Sequence, residues 1–175
     1  MKRLILSVFV MIVGSLSITA QDKNNFSFSI GPELSFATGS FSNTHTVGTG
    51  GTVQAEYYVM EKLKATATFG LLAYVGKSGP VSNTKNKGRT IIPIRVGAKY
   101  FLTGGIYGGA QIGVAFLGNY QPTGTAFAYS PLMLGYEFKT KSEKTIDATI
   151  KYDAYTGSGG IGTVGAFGIR LAYVF

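Results

Sequence analysis

Apolar and polar residues alternate with a period of two along most of the chain. In residues 26–37, Phe26, Phe28, Ile30, Leu34 and Phe36 share one face, and Ser27, Ser29, Gly31, Glu33 and Ser35 share the other. Residues 52–60 set Val53, Ala55, Tyr57 and Val59 against Thr52, Gln54, Glu56 and Tyr58. The same rhythm continues through 63–75, 91–100, 106–116, 130–139, 145–155 and 166–175. Such alternation is the signature of strands with two different faces, and it predicts eight of them. The connections alternate too. Those after strands two, four and six are tight (60–63, 103–105, 140–144), whereas 38–46, 76–89, 118–125 and 156–160 are mostly longer and polar. Short turns on one rim and longer loops on the other are expected of a transmembrane β-barrel.

The first twenty residues break this rhythm. Lys2 and Arg3 precede an unbroken apolar run over 4–13, and small and polar residues lead to Ala20 and a polar 21–25. This order reads as a signal peptide over 1–20, followed by a barrel domain over 21–175. A membrane anchor is the competing reading of the same run. No second helical span follows, so a mature chain within a membrane has to be a closed barrel, which satisfies every backbone polar group.

Composition sharpens the choice. Only 14% of the residues are charged, where a soluble domain has about 25%. Loss of Lys2 and Arg3 with the leader lowers the formal net charge from +8 to +6. There is no cysteine, hence no disulfide, thiolate metal site or cysteine-borne lipid anchor. In a soluble lipocalin-like carrier, the alternative architecture, the strongly apolar face would turn inward. The other face would then meet water, and it is rich in Gly, Thr, Ala and Tyr with few charges. That face suits a barrel interior better, with small residues making room for Tyr58, Tyr74, Tyr107, Tyr129 and Tyr155. The expected fold is an all-β, eight-stranded, antiparallel, up-and-down transmembrane β-barrel. Phe26, Phe28, Tyr57, Tyr100, Tyr136, Phe138, Tyr173 and Phe175 would form an outward aromatic belt at the short-turn rim.

The chain ends on Phe167, Ile169, Leu171, Tyr173 and Phe175, outward and alternating, with Gly168 opposite. This stretch resembles the C-terminal signal of outer-membrane β-barrel proteins. The chain as a whole is similar to the small eight-stranded barrels typified by the OmpA membrane domain and OmpX. The resemblance implies a Gram-negative outer-membrane location after leader cleavage, and a monomer in contact with outer-membrane lipid and lipopolysaccharide. It also implies a last strand (Gly168, Ile169, Leu171, Tyr173, Phe175) that is read by the barrel-assembly machinery and closes against strand one.

Candidate chemistry is sparse. Glu33, Glu56, Arg95, Lys99, Glu137, Lys139, Asp147, Lys151, Asp153 and Arg170 all take inward parity. Eight strands leave a lumen just wide enough for side chains, and buried charges must pair, so an ion-pair plug is expected, with a gated narrow pore as the alternative. Lys77, Lys85, Lys87 and Arg89 lie in the second long loop without an acid, a candidate contact for lipopolysaccharide phosphates. His45 is the only histidine; with Ser40 or Ser42 it would be the base of a lipid-modifying enzyme, but these residues share a flexible polar loop. One histidine without cysteine gives no metal-ligand spacing, and no cofactor is implied. Neither Gly-rich stretch, 47–53 or 156–165, has the Lys-Ser/Thr ending of a phosphate loop; they mark turns and curved strand ends. Nucleic acid has no motif here. The lead reading is therefore non-enzymatic, with a structural or surface-interaction role through the loops. Proline removes a ladder hydrogen bond. Pro32 is mid-strand and predicts a bulge or distorted ladder, while Pro93 and Pro131 fall toward loop ends.

Overall fold

A computed structural model describes residues 25–78, 86–119, 123–140, 144–157 and 162–175. The leader over 1–20 lies outside the described residues. Eight antiparallel strands form a closed barrel: β1 (Phe26–Thr38), β2 (His45–Met60), β3 (Leu63–Gly76), β4 (Arg89–Thr103), β5 (Ile106–Gly118), β6 (Gly124–Lys139), β7 (Thr145–Gly157) and β8 (Gly162–Val174). Each strand pairs with its sequence neighbours, and β8 closes on β1 with Glu33 opposite Arg170, Leu34 opposite Ile169 and Phe36 opposite Phe167. The Phe175 N–H, just past the end of β8, donates to the Phe28 carbonyl at 2.7 Å. Among the described residues no helix is long and apolar enough to cross a membrane.

The alternation sorts the side chains as the period of two requires. Val96, Leu71 and Leu171 are more than half exposed on the outer wall, whereas Arg95, Lys99 and Asp147 are buried inside. An apolar exterior around a charged interior is the reverse of a water-soluble barrel. A continuous apolar exterior of this extent calls for a non-aqueous surround. Phe26, Phe28, Tyr57, Tyr100, Tyr136, Phe138 and Phe175 are exposed at the short-turn end of this wall.

The strands run further toward the loop side than the cleanest alternation. β2 begins at His45 and takes in the glycines over 48–51, which lie in its loop-side end and not in a turn. Gly48 and Gly50 serve close packing there. A Cβ on Gly50 would lie 1.9 Å from the Leu71 carbonyl oxygen, and one on Gly48 would lie 2.7 Å from the Tyr74 ring.

The proline expectation is met at Pro32 as a gap in one ladder, and the bulge lies at a different place. At Pro32 the register against β2 runs on unshifted, although the pairing with β8 skips Gly31 and Pro32. The register shift occurs beside Pro131, between Tyr129 and Leu132 on the β7 side and between Gly109 and Gln111 on the β5 side. Proline has no N–H for the ladder, and a bulge absorbs the extra residue. The inward parity of β6 changes across it, from Ala126, Ala128 and Ser130 to Met133 and Glu137. This corrects Tyr129, expected inside. It shares the outward parity of Phe127, and the two rings stack at 5.6 Å.

The loop after β1 is more ordered than its composition suggests. A 3₁₀ helix, Gly39–Asn43, follows the chain reversal at Gly39 (φ +57°). It buries Phe41 against Tyr74 (ring centroids 4.9 Å) and His45 (4.7 Å). Below Phe41 the loop-side half of the lumen is filled by Leu72, Tyr74, Ile91, Leu117 and Tyr155. The short-turn half is polar.

Candidate functional site: the lumen and the loop rim

The polar half of the lumen is one connected network. Glu56 on β2 accepts from Lys64 on β3 at 2.9 Å and from Lys99 on β4 at 2.6 Å. Lys64 also donates to Glu137 on β6 at 3.0 Å, and Lys99 donates to Asp147 on β7 at 2.7 Å. The Tyr107 hydroxyl donates to Asp147 at 2.6 Å, and Arg170 on β8 lies 3.4 Å from the same carboxylate. Arg170 further donates to Thr52 and Ser29. Seven strands, β2 to β8, thus meet on two lysines and three carboxylates, with Tyr107 and Arg170 bringing in β5 and β8.

A layer of amides and hydroxyls lies in the same half. Gln111 donates to Thr66 and Thr68, and Thr68 donates to Gln54. A second ionic group lies inside the barrel as well. Arg95 donates to Asp153 and Ser130, Lys151 lies 3.4 Å from Asp153, and Lys151 donates to Glu33 at 3.0 Å. Five cations (Lys64, Arg95, Lys99, Lys151, Arg170) therefore face five carboxylates (Glu33, Glu56, Glu137, Asp147, Asp153). Charge balance is what allows ions to be held away from water. Gly168 leaves the space; a Cβ there would come within 3.2 Å of Lys151 and 3.4 Å of Glu33.

Two positions depart from the expected network. Lys139 is exposed and lines the short-turn mouth, a cavity of about 560 Å³, instead of the packed lumen. It is the last residue of β6, and a lysine at a strand end extends its ammonium to water. Lys64 joins the network unannounced, although its inward parity opposite Tyr58 was legible in the alternation. Tyr58, expected inside, is only half-buried at that mouth, with the Lys64 ammonium 4.7 Å from its ring centre.

The cluster Glu56, Glu137 and Asp147 has oxygens close enough to hold a metal ion. The ammonium groups of Lys64 and Lys99 already occupy that position.

At the loop end the four basic residues separate. Lys77 is exposed and donates to the Ser42 carbonyl at 2.6 Å, fastening the 3₁₀ helix to the β3–β4 loop. Lys87 is exposed, and Lys85 lies outside the described residues. Arg89 is a correction: as the first residue of β4 it takes inward parity and is buried close to His45. His45 is fully buried, with Nδ1 2.8 Å from the Thr44 hydroxyl. The serine hydroxyls are directed elsewhere, Ser42 donating to Gly39 O and Ser40 to Thr163 O. The residues of a nucleophile–base pair are thus near in sequence but not arranged as one.

In the last strand Ile169 and Leu171 are exposed outward, and Phe175 packs edge-on against Tyr173 with ring centroids 4.7 Å apart.

No family model and no curated protein matches the sequence. Solved structures match the fold. Neisserial surface protein A superposes with a TM-score of 0.63 at 15% identity, over 85% of this chain and 95% of that one. Ail, the attachment invasion locus protein of Yersinia pestis, gives 0.53 at 15% identity, over 86% and 99%. Ail in complex with the heparin analogue sucrose octasulfate gives 0.51 at 19% identity, over 86% and 98%. At these identities the likeness is one of fold: that of the small eight-stranded outer-membrane barrels.

Proposed function

We propose that this chain is an integral outer-membrane protein of a Gram-negative bacterium, exported with a cleaved leader and seated as a monomer. Its barrel anchors the long loops at the cell surface for a structural or interaction role. It neither conducts nor catalyses. The barrel-assembly machinery would read the last strand, ending at Phe175. The observation that carries this reading is the inverted barrel, apolar outside and ion-paired inside. Two barriers in series support the non-conducting part. The ionic layers leave Lys99, Arg95, Asp147 and Asp153 essentially without exposure, and the apolar layer above them is capped by Phe41. A solute crossing the lumen would have to break both.

The test combines two readouts on protein taken from outer membranes. A band that shifts on boiling, confined to the membrane fraction, is expected of a folded transmembrane barrel; a soluble periplasmic protein overturns the reading. Single-channel recording in planar bilayers is expected to be silent, and reproducible unit steps would establish the narrow pore instead. Unchanged lipid A after overexpression is expected, and a modified lipid A would establish an enzyme.

A further inference from the structure

His45 is a buried base that faces no carboxylate among the described residues. It is the first residue of β2, opposite Gly76 at the end of β3, so it stands at the loop-side rim. Its side chain has no exposure. Its roof is Phe41, with ring centroids 4.7 Å apart, and the Thr44 hydroxyl lies 2.8 Å from Nδ1. Roof and hydroxyl both come from the segment 39–44, so a charge on the imidazole acts first on the 3₁₀ helix.

The charged groups around the ring are of one sign. The segment 39–44 brings no titratable side chain. β3 brings Tyr74, packed on Phe41 with its hydroxyl 2.7 Å from Ser35. β4 brings Arg89, and the β3–β4 loop brings Lys77 and Lys87. β8 brings Thr163 and Val164, which are uncharged. The long-loop segments 39–44, 77–88, 119–123 and 158–161 contain no acid. The carboxylates of Glu33 and Asp153 belong to the ionic layer below and are engaged by Lys151 and Arg95. Burial, and after it the Arg89 guanidinium, hold the imidazole pKa below its usual 6.5, while the Lys87 backbone carbonyl beside the ring works against them.

The roof is built to move. It is hinged between Gly39 (φ +57°) and Thr44, whose carbonyl accepts from the Lys77 N–H at 2.8 Å. Between the hinges it is held by the Phe41 ring contacts, by the Lys77 ammonium on Ser42 O at 2.6 Å and by a long Ser40–Thr163 bond of 3.4 Å. A charged imidazole under an apolar ring has to regain water. We propose that protonation of His45 releases Gly39–Asn43 from the barrel mouth and turns Phe41 out into water, leaving the barrel capped at neutral pH and uncapped in acid. That the released segment faces the cell exterior rests on the seating proposed above; the release itself does not. The capped form binds fewer protons than the open one. Its advantage is therefore complete above the open-form pKa of about 6.5. Below that it falls by up to about tenfold per pH unit, levelling off once the capped form also takes up the proton.

The test uses the mature full-length protein, isotope-labelled, in phosphatidylcholine nanodiscs, titrated from pH 8 to pH 4.5. The His45 ring signals report protonation, and the Phe41–Tyr74 ring contact reports the cap. Both are expected to change with one midpoint below 6.5, together with the amides of 39–44, while the strands stay unshifted. Arg89→Gln should raise that midpoint toward 6.5, and His45→Gln should stay capped throughout. A ring still neutral at pH 4.5, a cap still closed over a protonated ring, or the same transition in His45→Gln would overturn the switch. If His45→Gln is uncapped at every pH, the Arg89→Gln midpoint decides, and an unmoved midpoint overturns the switch. Broadening of Leu71 and Val96 by a spin-labelled lipid checks the seating separately, so its failure is distinguishable from failure of the switch.

Discussion

Replacing Lys99 with methionine removes the ammonium that joins β2, β4 and β7 while keeping a side chain of similar length. Lys99 has no exposure and contacts Glu56 at 2.6 Å, Asp147 at 2.7 Å and Glu137 at 3.5 Å. Removing one member of a buried ionic group costs about 3–5 kcal/mol, because its partner stays charged and away from water. Here the loss is partly limited. Glu56 keeps Lys64 at 2.9 Å and the Gln54 amide at 2.6 Å. Asp147 keeps Arg170 at 3.4 Å, with hydroxyls from Tyr107 and Thr149. About one carboxylate is left poorly compensated, which sets the expectation at the lower end, about 3–4 kcal/mol. With a urea slope of about 2 kcal/mol/M, the unfolding midpoint falls by roughly 1.5–2 M. The assay is equilibrium unfolding from phospholipid vesicles, followed by circular dichroism and the gel shift, since the chain has no tryptophan. A companion variant, Lys99→Met with Glu56→Gln, removes one carboxylate along with the lysine, leaves Lys64 on Glu137 and Arg170 on Asp147, and should recover at least half of the loss. A midpoint within about 0.5 M of wild type for Lys99→Met would refute the reasoning, since an ion in a hydrated lumen is worth no more than a surface pair, about 0–1 kcal/mol.

Other substitutions probe other layers. Val96→Arg places a charge on the outer wall between Ala67 and Ile112; it should destabilise the barrel in a bilayer by about 2–4 kcal/mol, measured by the same unfolding assay. Gly135→Ala puts a Cβ 2.2 Å from the Tyr107 ring, so a loss of about 1–3 kcal/mol from overpacking is expected. Phe41→Ala should cost up to about 3 kcal/mol and speed amide exchange in residues 39–44. Planar bilayers should nevertheless stay silent, because Leu72, Tyr74, Ile91, Leu117 and Tyr155 still fill the lumen below. Lys144→Met should change stability by less than about 0.5 kcal/mol; its ammonium lies at the short-turn rim, 5.7 Å from the Tyr173 ring centre.

The sequence alone determined the strand number, the two faces, the rim asymmetry and the inward parity of the lumen charges. All of these follow from one local rule, that successive side chains on a strand point to opposite sides. Lys64 was within reach of that rule, since it alternates with Thr66 and Thr68 on the inward face. What the rule cannot carry is any irregularity of the ladder. Pro32 and Pro131 are alike as residues, yet the register shift sits at Pro131, where β6 carries one extra residue against both β5 and β7. Everything beyond it on β6 changes parity, which is why Tyr129 faces outward. Which cation meets which carboxylate was likewise decided only by tertiary structure. Lys99 reaches Glu56 and Asp147 across 43 and 48 residues of sequence, a pairing fixed by barrel closure and relative strand register. The apolar stopper has the same origin. Phe41 lies in a polar Ser/Gly/Asn stretch without periodicity, and only the closed barrel beneath it, lined by Tyr74 and Leu72, gives its ring an apolar place to be buried.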